Sequence, residues 1–226
     1  MRGVFVTGTD TGAGKTVVAG AICAALAARG EQVAAFKPVV TGLDEEPGEW
    51  PPDHELLAAA SGGRPGGVTP YTFGPPVSPH LAAELEGRPI EPQRLVSEAR
   101  AAAARAGTLV CEGVGGLLVP LTSGYSVRDL AVDLGLPVVV AARTGLGTIS
   151  HTLLTVEAAR AAGLTVAGIV MTPWPERPEP IETSNRETVE RLAGVTVSGL
   201  ATATPATLAT AGAALPVDDW HLSARA

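Results

Sequence analysis

Three short stretches of this chain carry residue types suited to handling phosphate and its charge. The first is Gly8-Thr9-Asp10-Thr11-Gly12-Ala13-Gly14-Lys15-Thr16. It follows the β-branched run Val4-Phe5-Val6 and opens a segment of helical composition, which is the context of a phosphate-binding loop. Its glycines let the backbone curl until amide groups converge on an anion. The helix that follows adds the partial positive charge of its N-terminus. Lys15 contributes a full charge for phosphate oxygens and Thr16 a hydroxyl for a magnesium ion. The spacing from Gly8 to Gly14 is one residue longer than the common form of this loop.

The second stretch is Phe36-Lys37-Pro38-Val39-Val40-Thr41-Gly42. A lysine at the end of a buried strand is either a solvated strand-end charge or a second cation facing the phosphates. The third is Leu109-Val110-Cys111-Glu112, running into Gly113-Val114-Gly115-Gly116. An apolar strand closing on a carboxylate suits a Walker-B-like contact to magnesium, and a Gly-rich turn after it would let amides approach an anion. Asp53, in Pro51-Pro52-Asp53-His54-Glu55, stands where a helix begins. Its residue type alone favours a helix cap over a ligand. His54, His80, His151 and His221 lack metal-ligand spacing and a nucleophile-base pattern, and receive no catalytic role.

The elements that must position these groups alternate short apolar runs with Ala- and Leu-rich segments. Strands are expected at Val4–Thr7, Gln32–Lys37, Thr108–Glu112, Pro137–Ala142 and Leu164–Met171. Helices are expected from Lys15 to about Arg29, ended by Gly30, and near Glu91–Ala106, Ile149–Ala162 and Glu182–Leu192. Such alternation implies an α/β fold: a mostly parallel sheet flanked by helices on both faces, three layers in all, in one domain over residues 1–226. Leu43–Asp53, Ser61–Pro79 and Pro173–Pro180 interrupt the rhythm. Each is either a tolerated surface insertion or a ligand-side loop. The proline spacing of the third excludes regular structure there.

Composition narrows the function classes. The chain has 226 residues, is 46% hydrophobic and only 4% aromatic, so its core must be aliphatic. Its 27 Gly and 19 Pro are scattered without a period, which excludes collagen. A net charge of −7 disfavours a phosphate-tracking nucleic-acid binder. Cys23 and Cys111 are too few for a disulfide scaffold and lie in apolar runs, as small buried hydrophobes. Met1-Arg2 leads straight into a strand without an apolar leader, and no apolar stretch approaches membrane-spanning length. A soluble cytoplasmic protein is the expectation.

Taken in chain order, several motifs together resemble the dethiobiotin synthetase family. They are Thr7-Gly8-Thr9-Asp10-Thr11 with Gly14-Lys15-Thr16, Lys37-Pro38-Val39 with Thr41-Gly42, and Pro70-Tyr71-Thr72-Phe73 with Ser78-Pro79-His80. Glu112-Gly113-Val114-Gly115-Gly116 and Leu146-Gly147 with His151 follow. The match spans residues 3–170, and the long loop spacing is the family's own. The resemblance implies a P-loop ligase that joins 7,8-diaminopelargonic acid and CO₂ (or bicarbonate) at the expense of ATP. A carbamate forms on one amine, takes the γ-phosphoryl group, and is attacked by the second amine to close a cyclic urea.

Carried over residue by residue, the resemblance assigns magnesium to Thr16, Asp53 and Glu112, which for Asp53 replaces the cap reading. Gly12, Ala13, Gly14, Lys15, Thr16 and Val17 would wrap the phosphates, with Gly113, Val114 and Gly115 beside the nucleotide. Lys37, Lys15 and Thr11 would be catalytic, Lys37 binding the carbamate and the γ-phosphate. Thr41 and Pro79 would meet the substrate. Its carboxylate tail would lie against Gly147, Thr148, Ile149 and Ser150 across the interface of a homodimer. No nucleic acid or membrane partner is implied.

Two departures from the family pattern stand out. Ser150 replaces a usual Asn. Thr172, followed by Pro173, replaces the Asn whose amide reads adenine. A hydroxyl cannot pair with adenine in a bidentate manner, so weakened base selectivity is expected, with other nucleoside triphosphates accepted. Three rivals remain: a partitioning or signalling ATPase, an amidating ligase, and a non-catalytic nucleotide-binding subunit. The first often carries a further lysine where Thr9, Asp10 and Thr11 stand. The second needs a glutamine-hydrolysing domain. The third has no use for Lys37 and Thr41.

Overall fold

The computed structural model describes residues 1–46, 48 and 50–220. The sheet begins with β1 (Arg2–Gly8), which delivers the chain into the Gly-rich loop and α1 (Lys15–Ala28). Next come β2 (Val33–Phe36), α2 (Asp53–Ser61), α3 (Pro79–Leu85) and α4 (Pro92–Ala106). β3 (Thr108–Gly116) is followed by a small antiparallel pair, β4 (Pro120–Thr122) and β5 (Tyr125–Ser126), and by α5 (Val127–Leu134). The last half alternates β6 (Val138–Ala142), α6 (Thr148–Ala161), β7 (Val166–Trp174), α7 (Pro180–Ala193) and β8 (Val197–Ala201). Two short helices close the described chain, α8 (Leu208–Gly212) and α9 (Val217–Trp220).

Six strands form one sheet in the order β2-β3-β1-β6-β7-β8, and every neighbouring pair is parallel. Side chains alternate along each strand and divide the core in two. Phe5, Leu109, Cys111, Val138, Val140, Ile169 and Met171 pack toward α4, α5, α6 and α7. Val4, Val6, Val110, Val139, Ala141 and Val170 pack toward α1, α2 and α8. This is the covered parallel sheet that the alternation of elements implies. Both cysteines are fully buried, and burial pushes their thiols far up.

The C-terminal turns are part of this packing. Trp220 of α9 is 1% exposed and packs on β7 at Gly168, where an added Cβ would come within 2.6 Å of the indole nitrogen. Arg29 at the end of α1 pairs with Asp218 at 3.0 Å and ties the tail to the first helix.

Two expectations need correction. Pro173–Pro180 is not wholly irregular: β7 continues through Pro173 to Trp174, and Pro180 opens α7. A proline at a strand end or at the first position of a helix has no amide partner to lose. The ladder from β7 to β8 accordingly jumps from Met171 to Trp174. Nor does β3 stop at Glu112. It runs on to Gly116, and the turn comes after it. His221 lies outside the described residues.

Candidate active site

β1 ends at Gly8, and the loop that follows is shaped by two left-handed glycines, Gly12 at φ 70° and Gly14 at φ 85°. Gly14 caps α1 without any side-chain hydrogen bond, so the first amides of the helix lack an intrachain partner. Next door, β2 ends one residue before Lys37 and β3 carries Glu112. Parallel strands side by side therefore bring Lys15, Lys37 and Glu112 to one edge of the sheet, and the first residue of α2 adds Asp53.

These groups touch. Lys37 Nζ lies 2.5 Å from Glu112 Oε1 and 2.7 Å from Asp53 Oδ2. Thr16 Oγ1 is 2.9 Å from Glu112 Oε1 and 3.0 Å from Asp53 Oδ1, so a single hydroxyl hydrogen serves two carboxylates. Lys37 is 3% exposed and Glu112 fully buried. Burial pulls the Lys37 ammonium down, but the two carboxylates outweigh it and hold it up at about 12. Burial opposes ionisation of Asp53 as well, yet Lys37 and Thr16 keep its carboxyl below the ordinary value. Lys15 is lowered, chiefly by burial, and its ammonium donates to the Asp10 carbonyl at 2.9 Å. Asp53 is therefore no helix cap; Pro52 holds that position.

A cavity of about 640 Å³ opens over the cluster. It is lined by Thr11, Gly12, Gly14, Lys15, Thr16 and Val17 from the loop and α1. Lys37, Thr41 and Gly42 follow β2, and Pro79 opens α3. Glu112, Val114 and Gly115 come from β3, and Asp53 from α2. Leu43–Asp53 and the end of Ser61–Pro79 thus border the cavity, through Glu45, Trp50, Pro51 and Pro76 to Ser78.

Other expected residues lie elsewhere. Ala13 is buried. Gly113 faces the core, where a Cβ would meet Val127 at 2.8 Å and Phe5 at 3.2 Å, so packing explains this glycine without an anion. Thr172 does not line the cavity, but its methyl presses against Gly14 too closely to admit a Cβ there. Pro173 follows it along β7. Gly147, Thr148, Ile149 and Ser150 form the start of α6, outside the cavity. Gly147 caps that helix at φ 86° with no side-chain bond, as Gly14 does for α1. The Thr148 hydroxyl turns inward and donates to the Arg143 carbonyl at 2.6 Å.

The donor set fits a hard divalent cation. Oxygens of Thr16, Asp53 and Glu112 converge, and Glu112 Oε2 is buried without a hydrogen-bond partner, which is costly unless a ligand uses it. Among the described residues no group of three or more His, Cys, Asp or Glu is placed to hold a metal. Magnesium takes one or two carboxylates and completes its shell with phosphate and water.

One nearby residue had no place in the sequence reading. Arg143, immediately after β6, donates from Nη2 to the Thr11 carbonyl at 2.9 Å. A cation directly after a buried strand is the signal that marked Lys37, and it was there to be read.

A family model described as an AAA domain matches residues 2–202. Over 194 residues the chain is 50% identical to the ATP-dependent dethiobiotin synthetase of Anaeromyxobacter dehalogenans strain 2CP-1, covering 85% of this chain and 86% of that protein. The enzyme of the same name from Bacillus subtilis strain 168 is 36% identical over 202 residues, with 88% and 87% covered. Solved structures share the fold alone. A ParA family ATPase from Chlorobium tepidum TLS superposes with a TM-score of 0.55 at 11% identity, covering 96% of this chain and 92% of that one. The cell division ATPase MinD of Pyrococcus furiosus gives 0.56 at 15%, with 95% and 90% covered. The identities above one third, over most of both chains, decide between these likenesses: the chain belongs to the ATP-dependent dethiobiotin synthetase family.

Proposed function

We propose that this chain makes dethiobiotin from 7,8-diaminopelargonic acid, CO₂ and ATP, releasing ADP and phosphate. The observation that carries the reading is Lys37, a buried ammonium on the floor of the cavity that the Gly8–Thr16 loop and Lys15 also line. Both partners in the phosphoryl step are anions. Their approach needs cations fixed in advance, and positioning with charge neutralisation accounts for most catalysis of this type.

In this reading the diamine loses a proton as one nitrogen bonds to CO₂. The carbamate oxygen then takes the γ-phosphoryl group and ADP departs. The second nitrogen attacks the carbonyl carbon of the mixed anhydride, the ring closes and phosphate leaves. Lys37 neutralises the carbamate, and Lys15 the phosphate it meets. Thr11 and the amides from Gly12 to Val17 seat the phosphates, with Val114 and Gly115 at the far wall. Thr41 and Pro79 border the reacting end of the diamine. Thr16, Asp53 and Glu112 would hold magnesium. When bound, that ion supplies further neutralisation of phosphate charge.

The substrate's carboxylate tail would find the uncapped amides of Ile149 and Ser150 at the start of α6. A homodimer is supported by the apolar surface beside them: Leu146 is 91% exposed, with Leu118 and Leu154 also exposed nearby. Among the described residues no helix is long and apolar enough to cross a membrane. The need for ATP supports a cytoplasmic setting.

The test is an assay of phosphate release with and without the diamine and bicarbonate, with dethiobiotin identified by mass. Release that depends on both supports the ligase. Equal release without the diamine favours a plain ATPase and refutes it.

A further inference from the structure

The Gly-rich loop can seat phosphate only if its amides point inward, and each peptide unit has its carbonyl and amide on opposite sides. Two cations hold successive carbonyls of the loop, Lys15 from the cavity side and Arg143 from outside it. Lys15 Nζ takes the Asp10 carbonyl at 2.9 Å, and Arg143 Nη2 takes the Thr11 carbonyl at 2.9 Å. The Thr11 carbonyl and the Gly12 amide belong to the same peptide, so fixing the first aims the second. The Thr11 amide is already used by Asp10 Oδ1 at 2.7 Å, so the next amide along the loop, that of Gly12, is the one that Arg143 aims. The Arg143 guanidinium also runs beside Gly12, 3.3 Å from where a Cβ would stand.

Arg143 is itself braced. Its carbonyl accepts the Thr148 hydroxyl at 2.6 Å, and the next two carbonyls, of Thr144 and Gly145, accept from the buried Asn185 amide of α7 at 2.8 and 3.2 Å. Arg143 does not line the cavity that Lys15 and Lys37 share. Its charge therefore stays behind the loop, and of these cations only the two lysines line the cavity.

We infer that Arg143 is a positioning residue for the phosphoryl donor: it locks the Thr11–Gly12 peptide in the orientation that receives phosphate. The inference deepens the proposed reading and depends on it for the identity of the donor.

The test is calorimetric titration of wild type, Arg143→Ala and Arg143→Lys with a non-hydrolysable ATP analogue and magnesium, without diamine, together with the melting temperature of each. Arg143→Ala is expected to bind about tenfold more weakly at an unchanged melting temperature, the scale of one charge-assisted hydrogen bond. Arg143→Lys, which keeps a charge within reach of the carbonyl, should recover most of that loss. In turnover the alanine variant should raise KM for ATP more than it lowers kcat. Binding by Arg143→Ala within twofold of wild type overturns the inference. So do equal losses in both variants accompanied by a fall in melting temperature, which would assign the effect to packing of the side-chain stem. Because the titration omits the diamine, a wild type that forms no dethiobiotin would refute the ligase reading and leave the role of Arg143 decided by binding alone.

Discussion

The Lys37 ammonium and the Glu112 carboxylate meet at 2.5 Å in the protein interior, and Asp53 closes the group at 2.7 Å from the same nitrogen. The lysine assigned to the acceptor and the carboxylates assigned to the metal are thus one electrostatic unit. Removing a member acts on the others, because a buried charge left alone is expensive.

For Lys37→Ala, diamine-dependent phosphate release should fall by at least about 10²-fold, the usual cost of a preorganised charge at a phosphoryl centre. Nucleotide affinity should change little, since Lys15 and the loop amides remain. The buried Glu112 loses its partner, so the melting temperature should also fall, with a cost of about 3–5 kcal/mol. Stopped turnover with intact analogue binding is the decisive pair of measurements. Turnover near the wild-type rate would remove Lys37 from the chemistry.

Nucleotide preference is a second test. Thr172 offers one hydroxyl, and its methyl is committed to Gly14. Steady-state rates with ATP, CTP, GTP and UTP should lie within about tenfold of one another, the range left when no bidentate base contact contributes its roughly 1–3 kcal/mol. A strong preference for ATP refutes this and places base reading in other groups.

The start of α5 gives a pH-dependent test away from the site. The Ser126 hydroxyl accepts from the Asp129 amide at 3.3 Å, and Asp129 Oδ2 accepts from the Ser126 amide at 2.7 Å and its hydroxyl at 2.6 Å. These bonds to Ser126 hold the Asp129 carboxyl below its ordinary value. A lowered folded pKa stabilises above the unfolded value of about 3.9, and that stabilisation is lost as pH falls through the folded value. Asp129→Asn should therefore cost about 0.5–2 kcal/mol at neutral pH, and the gap from wild type should shrink below about pH 4. Thermal melts at pH 7 and pH 3.5 measure both; an equal gap at the two values contradicts the assignment.

The C-terminal packing predicts stability without chemistry. Trp220→Ala removes a fully buried indole and should cost about 3–5 kcal/mol. Gly168→Ala drives a methyl into the same ring and should cost about 1–3 kcal/mol. Both should leave KM for ATP unchanged, since neither residue lines the cavity. Chemical denaturation and kinetics on the same samples check the pair.

Much of this architecture was legible because local signals and tertiary demands agree. β1, the Gly-rich loop and α1 follow from a strand, a left-handed glycine and a helix in sequence, and the buried strands announce themselves as β-branched runs. Lys37 and Glu112 were legible as strand-end charges, but not as a contact, because their approach depends on β2 and β3 lying side by side. The missed elements had quieter signals. α3 is seven residues long behind a proline, and β8 is an edge strand of mixed burial. The Ser126-Val127-Arg128-Asp129 capping box was readable and passed over. Prolines at 173 and 180 misled because a proline at an element boundary costs nothing, whereas one inside it breaks the ladder. Arg143 escaped because it acts through a main-chain carbonyl, a partner that no residue type reveals.

Within the pocket the ammonium groups of Lys15 and Lys37 and the carboxylates of Glu112 and Asp53 add up to zero. The protein thus carries its own counter-ions, and the charges of the pocket balance before any ligand arrives. Maturation of the chain and the loading of nucleotide are consequently separable events. Refolding yield should be indifferent to chelators and to added ATP, unlike that of proteins whose metal completes the fold.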